Sequence, residues 1–319
     1  MFVLKKLARL VGVLLVVTFL AYGVLSAGDS DDIAVATSAG VGASTEQAER
    51  IKEDLGLNDG LVVGYGKWLS SALQGDLGVS FATRQDVSRL LKDRLPVSVR
   101  LMIYAQVLAL LLAVPLGVLA AYRAGTKTDG AVTTTSFAVL AVPSFILGVL
   151  LVYLFALRWR IFPAIHRDVG FLEDPVEHVR QYALPTITLA IGLVAVYVRL
   201  LRSDMVATLQ EDYISVARAK GLPTRQILLR HALRPSSFSL LTVAGITVGQ
   251  LIGGTIIVET IFDIDGLGST IIQAIFQRDY FVVQGAVAVI CTAYVLINVA
   301  VDLLYTVLDP RLRHARSLG

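Results

Sequence analysis

The chain has 319 residues, 55% of them hydrophobic and 17% charged, with a formal net charge of +3 and a mean hydropathy of +0.70. So few charges, against about 25% in soluble domains, exclude an ordinary soluble globule and point to a membrane protein. The lone cysteine, Cys291, excludes a disulfide framework and a cysteine metal site; in its apolar segment it reads as a small buried hydrophobe.

Stretches that approach or exceed the ~20 apolar residues needed to cross a bilayer predict six spans, at about 7–26, 98–122, 131–157, 183–201, 237–258 and 283–307. The first has Lys5, Lys6 and Arg9 flanking its start and ends in small residues, which also fits a secretory signal; its length and the five spans behind it favour an anchor. Between spans one and two lies 27–97. Ser44-Thr45-Glu46-Gln47 reads there as a capping box opening a helix toward Leu55-Gly56. A second helix is predicted over 61–74, then a turn at Gly75-Asp76-Leu77-Gly78. An amphipathic helix over 86–94 follows, set off from span two by Pro96. Together these predict a small helical cap on the outer surface.

Charge sets the orientation. Arg123 and Lys127 join spans two and three, and seven basic residues from Arg199 to Arg234 crowd the connection between spans four and five. Arg311, Arg313 and Arg316 follow the last span. The positive-inside rule makes that side, and both termini, cytoplasmic, although Arg158, Arg160, Arg167 and Arg180 run against it. Basic residues so placed read as topology signals, and no nucleic-acid partner is expected.

Motifs for catalysis are missing. Gly60 to Lys67 resembles a phosphate loop only until Leu61 stands where its first glycine must be and Trp68 where its hydroxyl residue must be. His166, His178, His231 and His314 lack metal-ligand spacing, and Glu173, Asp174 and Glu177 read as solvated loop residues. No catalytic residue, metal or cofactor is expected. Asp302, near the inner end of span six, reads as half of a structural ion pair before a proton relay.

Span five carries Gly245, Gly249 and Gly253 at every fourth residue, with Thr247, Gln250 and Thr255 among them and Glu259 at its edge. Small residues on one helical face permit close backbone approach. Two readings stay open: tight packing inside one subunit, or a subunit interface lining a wet pathway. Before this span, Glu211 to Pro235 forms a polar island. Asp212 to Lys220 suits a short helix that Gly221 ends with a left-handed turn. Leu222-Pro223-Thr224 starts a second, basic helix dotted with Ile227, Leu228 and Leu229. A rigid knuckle of this kind suits a groove on another protein or anionic headgroups.

The island resembles the EAA loop of ABC-importer permeases, in the variant of the dipeptide/oligopeptide/nickel family. The resemblance rests on Asp212-Tyr213-Ile214, Ala217-Arg218-Ala219-Lys220-Gly221-Leu222 and Leu229-Arg230-His231-Ala232-Leu233-Arg234. Similar motifs run through the chain: Gly75-Asp76-Leu77-Gly78-Val79-Ser80, Leu184-Pro185-Thr186, Val258-Glu259-Thr260-Ile261-Phe262 with Gly266-Leu267-Gly268, Arg278-Asp279-Tyr280, Asn298, Asp302-Leu303-Leu304-Tyr305 and Asp309-Pro310-Arg311. Ser215 and Val216 depart from the general consensus of glutamate and alanine, and His231 and Arg234 replace its later isoleucine and proline.

The resemblance implies an all-α integral membrane protein of the type I ABC-importer kind, in a bacterial cytoplasmic membrane. It also implies a first transmembrane helix at 1–26, an extracytoplasmic helical segment at 27–97, and a five-helix permease core at 98–319 with a cytoplasmic coupling loop at 203–236. The chain would be the B-type permease of a pair and would move di- or oligopeptides. Nickel or glutathione-like cargo is the alternative, and an ion-coupled secondary transporter would need midplane charges that the spans lack. Implied partners are a second permease in a heterodimer, two cytoplasmic ATPase subunits that hydrolyse ATP, an extracytoplasmic peptide-binding protein, and membrane lipid. Asp212, Tyr213, Ala217, Arg218, Lys220, Gly221, Leu222 and Ile227 would couple to the ATPase, with Leu222 and Ile227 as apolar anchors. Gly245, Thr247, Gly249, Gln250, Gly253 and Glu259 would line the pathway or the permease interface.

Overall fold

The computed structural model describes residues 2–26, 60–163 and 165–308, with side chains for 10–25, 60–163 and 165–300. The Ser44–Gln47 capping box, the Asp309-Pro310-Arg311 motif, His314 and the side chain of Asp302 lie outside the described residues. Helices are the only regular elements among the described residues, beside one isolated antiparallel bridge from Val79 to Asp86. That follows from the composition, because backbone in lipid must pair its own polar groups. In chain order the helices are α1 (Phe2–Ser26), α2 (Leu61–Leu73), α3 (Val87–Tyr122), α4 (Lys127–Ala141), α5 (Ser144–Arg158), α6 (Pro175–Thr208), α7 (Asp212–Ala219), α8 (Thr224–Ile261), α9 (Leu267–Phe276) and α10 (Tyr280–Leu308).

By length and composition α3, α6, α8 and α10 can each cross a membrane, and α4 with α5 makes a fifth crossing if the pair is one broken span. α1 adds the apolar stretch Leu10–Leu25. Two expectations change. The third span is not continuous, because α4 and α5 meet at a bend of 97°. Val142 and Pro143 take extended conformations there, with ψ of 124° and 138°, as expected where proline disfavours helix in the residue before it. Pro96 does not set off the outer helix either. α3 runs through it for 36 residues, since a proline costs a helix about 3 kcal/mol and the burial of Val87, Leu91, Val97 and Leu101 outweighs that.

The chain divides into two compact units, Met1–Ser98 with Asp265–Ile297 and Val99–Ile264 with Asn298–Gly319. In the first, Val87, Leu91, Leu267, Ile271, Val282 and Ala286 form the core. Two separated motifs meet there. The Asp279 carboxylate, 2% exposed, accepts from Ser80 Oγ at 2.5 Å and from the Ala82 N–H at 3.1 Å, and its other oxygen faces the Val282 N–H at the start of α10. The turn that delivers Ser80 needs Gly78, whose φ is +92° and whose missing Cβ would lie 2.9 Å from the Phe281 ring. Tyr280 Oη and Gln284 Nε2 then donate to the Tyr22 and Thr18 carbonyls of α1 at 3.1 and 3.0 Å.

In the second unit α6 packs against α8, α4 and α5. Pro185 sits inside α6. Lacking an N–H, it releases the carbonyl four residues earlier, and His166 Nδ1 lies 3.4 Å from that atom, Gln181 O. An ion pair ties the first turn of α4 to α6. Asp129, 5% exposed, binds Arg202 Nε at 2.5 Å and Nη2 at 2.6 Å and also accepts from the Gly125 N–H at 2.9 Å.

Candidate coupling knuckle and pathway helix

α7 begins at Asp212, whose carboxylate in the first turn complements the helix dipole, and ends with Arg218 in its last. Its C-terminus closes through two bonds, Leu222 N–H to Ala217 O at 3.3 Å and Gly221 N–H to Arg218 O at 2.9 Å. That pattern is a Schellman motif, and it requires the left-handed φ of +75° found at Gly221. The hydrophobic contact that accompanies such motifs is present too. Leu222 packs on Ile214, Ala217 and Ile227. Pro223 then caps α8 with φ −65° and ψ 144°, so Thr224 is the first helical residue.

α8 opens with three residues of α-helix, Thr224–Gln226, followed by a π-turn over Ile227–Ala232. The cause lies three residues on. Pro235 has no N–H to give His231 O, and a π-turn just before a proline accommodates the gap. Tyr213 Oη donates to the freed His231 carbonyl at 3.3 Å, strapping α7 to α8. A cavity of about 460 Å³ lies beside the knuckle, with Tyr122, Gln210, Arg218 and Leu228 in its walls.

The predicted coupling residues therefore divide. Asp212, Tyr213, Arg218, Lys220 and Gly221 are exposed, and Leu222 is half-buried. Ala217 and Ile227 are 7% and 4% exposed. They build the knuckle's interior, so Ile227 is no outward anchor. Val216, 53% exposed on the outer side of α7, is the apolar residue that sequence reasoning passed over. Its position two residues from buried Ile214 on a 3.6-residue helix was the available signal.

α8 is similarly two-sided. Leu240, Ala244, Thr247, Leu251, Thr255 and Val258 are buried. Ile246, Gln250, Gly253, Ile257 and Thr260 are exposed, with Gly245 and Gly249 half-buried beside them. Thr247 thus lies on the buried side of the helix and Gln250, one turn on, at the edge of the exposed side. The Thr247 hydroxyl bonds Tyr197 Oη on α6, and Tyr197 exchanges bonds of 3.0 and 3.1 Å with Gln106 of α3. Sequence reasoning missed Gln106 and Tyr197, because nothing local in α3 or α6 says which helices meet. Glu259 is fully buried, so it lines no open surface of this chain.

Comparison with known proteins agrees with this architecture. Residues 113–314 match the family of binding-protein-dependent transport system inner membrane components, and residues 1–102 match that family's N-terminal region. A Brucella abortus protein provisionally named a peptide transport system permease is 38% identical over 98% of both chains. The oligopeptide transport system permease AppB of Bacillus subtilis is 33% identical over 98% of this chain and 99% of its own. The nickel import system permease NikB of Staphylococcus aureus is 34% identical over 85% of this chain and 78% of its own. Among solved structures, an inward-facing MetNI methionine ABC transporter chain shares the fold. The TM-score is 0.58 at 18% identity, covering 69% of this chain and 96% of that one. The chain belongs to the family of binding-protein-dependent transport system inner membrane components, as a non-catalytic, multi-pass permease subunit of an ABC importer.

Proposed function

We propose that this permease carries peptides, and that the knuckle from Asp212 to Ile227 is where a cytoplasmic ATPase subunit grips it. The peptide reading is supported by relatives named for peptide and oligopeptide transport that align along nearly the whole chain. The coupling reading is supported above all by the knuckle's construction. A short helix, strapped to α8 by Tyr213 and closed at its C-terminus by the Gly221 turn, presents Asp212, Val216 and Arg218 outward, with Lys220 just past its end, and joins the long helix α8 through only the four residues 220–223. A load applied to α7 is therefore delivered to a spanning helix, and closure of two ATPases on ATP would change which contacts α7 makes. Differential contact of that kind is what coupling requires.

A second permease would meet the exposed face of α8, and peptide would pass along it beside Gln250, Gly249 and Gly253. Gly245 would sit at the margin of that face. Thr247 and Glu259 would hold the helix from behind. The partners on this reading are a similar permease, two ATPase subunits and an extracytoplasmic peptide-binding protein. Nickel import is the second reading, and the Staphylococcus aureus relative favours it.

Co-purification in mild detergent, followed by ATPase assays with a set of peptides and with Ni²⁺, separates the two cargoes. Gly221→Pro is incompatible with a φ of +75°, and Leu222→Asp puts a charge on the knuckle's core. Each should abolish ligand-stimulated ATP hydrolysis while the chain still inserts. Uptake unchanged in both variants would refute the coupling role.

A further inference from the structure

The first unit holds a cavity of about 440 Å³, within the ~300–1,000 Å³ range of ligand pockets, that neither knuckle nor pathway uses. Its walls come from α1, α2, α3 and α10, and Leu14, Leu69, Leu91, Leu95, Ala293 and Leu296 make them largely apolar. Along α10 it reaches from Ala288 to Leu296, about 12 Å at 1.5 Å per residue. Leu73 and Leu296, on its rim, are 81% and 63% exposed. An opening bordered by bare leucine in a spanning protein faces hydrocarbon, not water.

We propose that this cavity binds one acyl chain of an anionic phospholipid, with Lys92 meeting the headgroup. Three observations choose that occupant. Lys92 lines the cavity, is exposed, and has no carboxylate partner among the described residues. It lies on α3 six residues before Ser98, where the apolar run of the span begins, and hence about 9 Å outside it, at headgroup depth. A lysine there attracts anionic lipid. Trp68 is also in the wall, 8% exposed, and its indole N–H has no acceptor; a buried donor calls for one, and the glycerol ester carbonyls of a lipid supply it. Finally, α2 bridges α1 and α3. Tyr65 Oη pairs with Thr18 at one end, and Ser88 Oγ donates to Gly75 O just past the other. α2 buries Gly64 and Trp68 while exposing Leu61, Val62, Val63 and Leu73, the habit of a helix lying in the membrane interface.

The chain has two tryptophans, so Trp159→Phe leaves Trp68 as its sole reporter. The full-length Trp159→Phe chain in phosphatidylcholine vesicles is titrated with chain-brominated phosphatidylglycerol or with chain-brominated phosphatidylcholine. Quenching should reach half its maximum at about five-fold less phosphatidylglycerol, the effect of one lysine at the surface. Lys92→Glu should erase the preference, Lys92→Arg should keep it, and Ala293→Phe, which puts a ring into the cavity beside Trp68, should weaken quenching by both lipids. Far-ultraviolet dichroism checks that each variant is folded. Equal quenching by the two lipids, or quenching untouched by Ala293→Phe, overturns the proposal. So does an absence of lipid quenching, the result expected if residues 27–59 occupy the cavity instead.

Discussion

Single residues here act mostly by what they do to a backbone group. Pro235 frees the His231 carbonyl and Tyr213 takes it up; Pro185 frees the Gln181 carbonyl and His166 reaches it. Gly221 supplies a conformation, and nothing stands within 4 Å of the Cβ that it lacks. Gly221→Ala should therefore cost only the left-handed backbone penalty, about 1–2 kcal/mol, and Gly221→Asn less. Stimulated ATPase activity should fall in the order Gly, Asn, Ala, Pro. Activity equal in the alanine and glycine chains would show that the turn is not under load. Asp279 is the opposite case, a side chain that satisfies three backbone or hydroxyl donors. Asp279→Ala leaves those donors bare and should lower stability by about 2–3 kcal/mol, read as a fall in detergent melting temperature, whereas Asp279→Glu should lose less.

At the scale of elements, α8 buries one face in its own subunit and leaves the other exposed. The Gln106–Tyr197–Thr247 chain joins α3, α6 and α8, with Tyr197 and Thr247 buried and Gln106 half-buried. A double-mutant cycle of Tyr197→Phe and Thr247→Val should return a coupling energy of about 0.6 kcal/mol, the average for hydrogen bonds between membrane helices. Additive effects on the melting temperature would show the bond to be silent. The outward face predicts differently. Gln250→Trp should leave melting unchanged and depress uptake, because the side chain is exposed and makes no hydrogen bond among the described residues. How much of this was legible depended on range. Gly221 and Pro223 are local signals, and the bend of the knuckle, where α7 stops and α8 starts, could be placed from them. The inward turn of Thr247 could not, since it depends on Tyr197, fifty residues away.

Across the whole molecule, each unit is pinned by a buried carboxylate. In the first it is Asp279; in the second it is Asp129, held by Arg202. Asp129→Ala strands an arginine whose side chain is 29% exposed. The loss should fall below the 3–5 kcal/mol of a fully buried pair, at about 2 kcal/mol, and Arg202→Ala should cost more, because the Asp129 side chain is only 7% exposed. Equal losses in melting temperature would mean that burial does not rank the two partners. By itself the sequence determined what depends on near neighbours: a helical membrane protein, apolar helices near the expected span positions, a glycine-stopped knuckle, and family words that identify a permease. Tertiary structure decided what depends on distant partners. It bent the third span, carried α3 through Pro96, turned Ala217 and Ile227 inward, and assembled the cavity beside Trp68. The physical reason is the size of the competing terms. Turns and helix ends are set by local terms of one or two kcal/mol that a short segment carries in full, whereas which face is buried is settled only when remote helices bring their surfaces together.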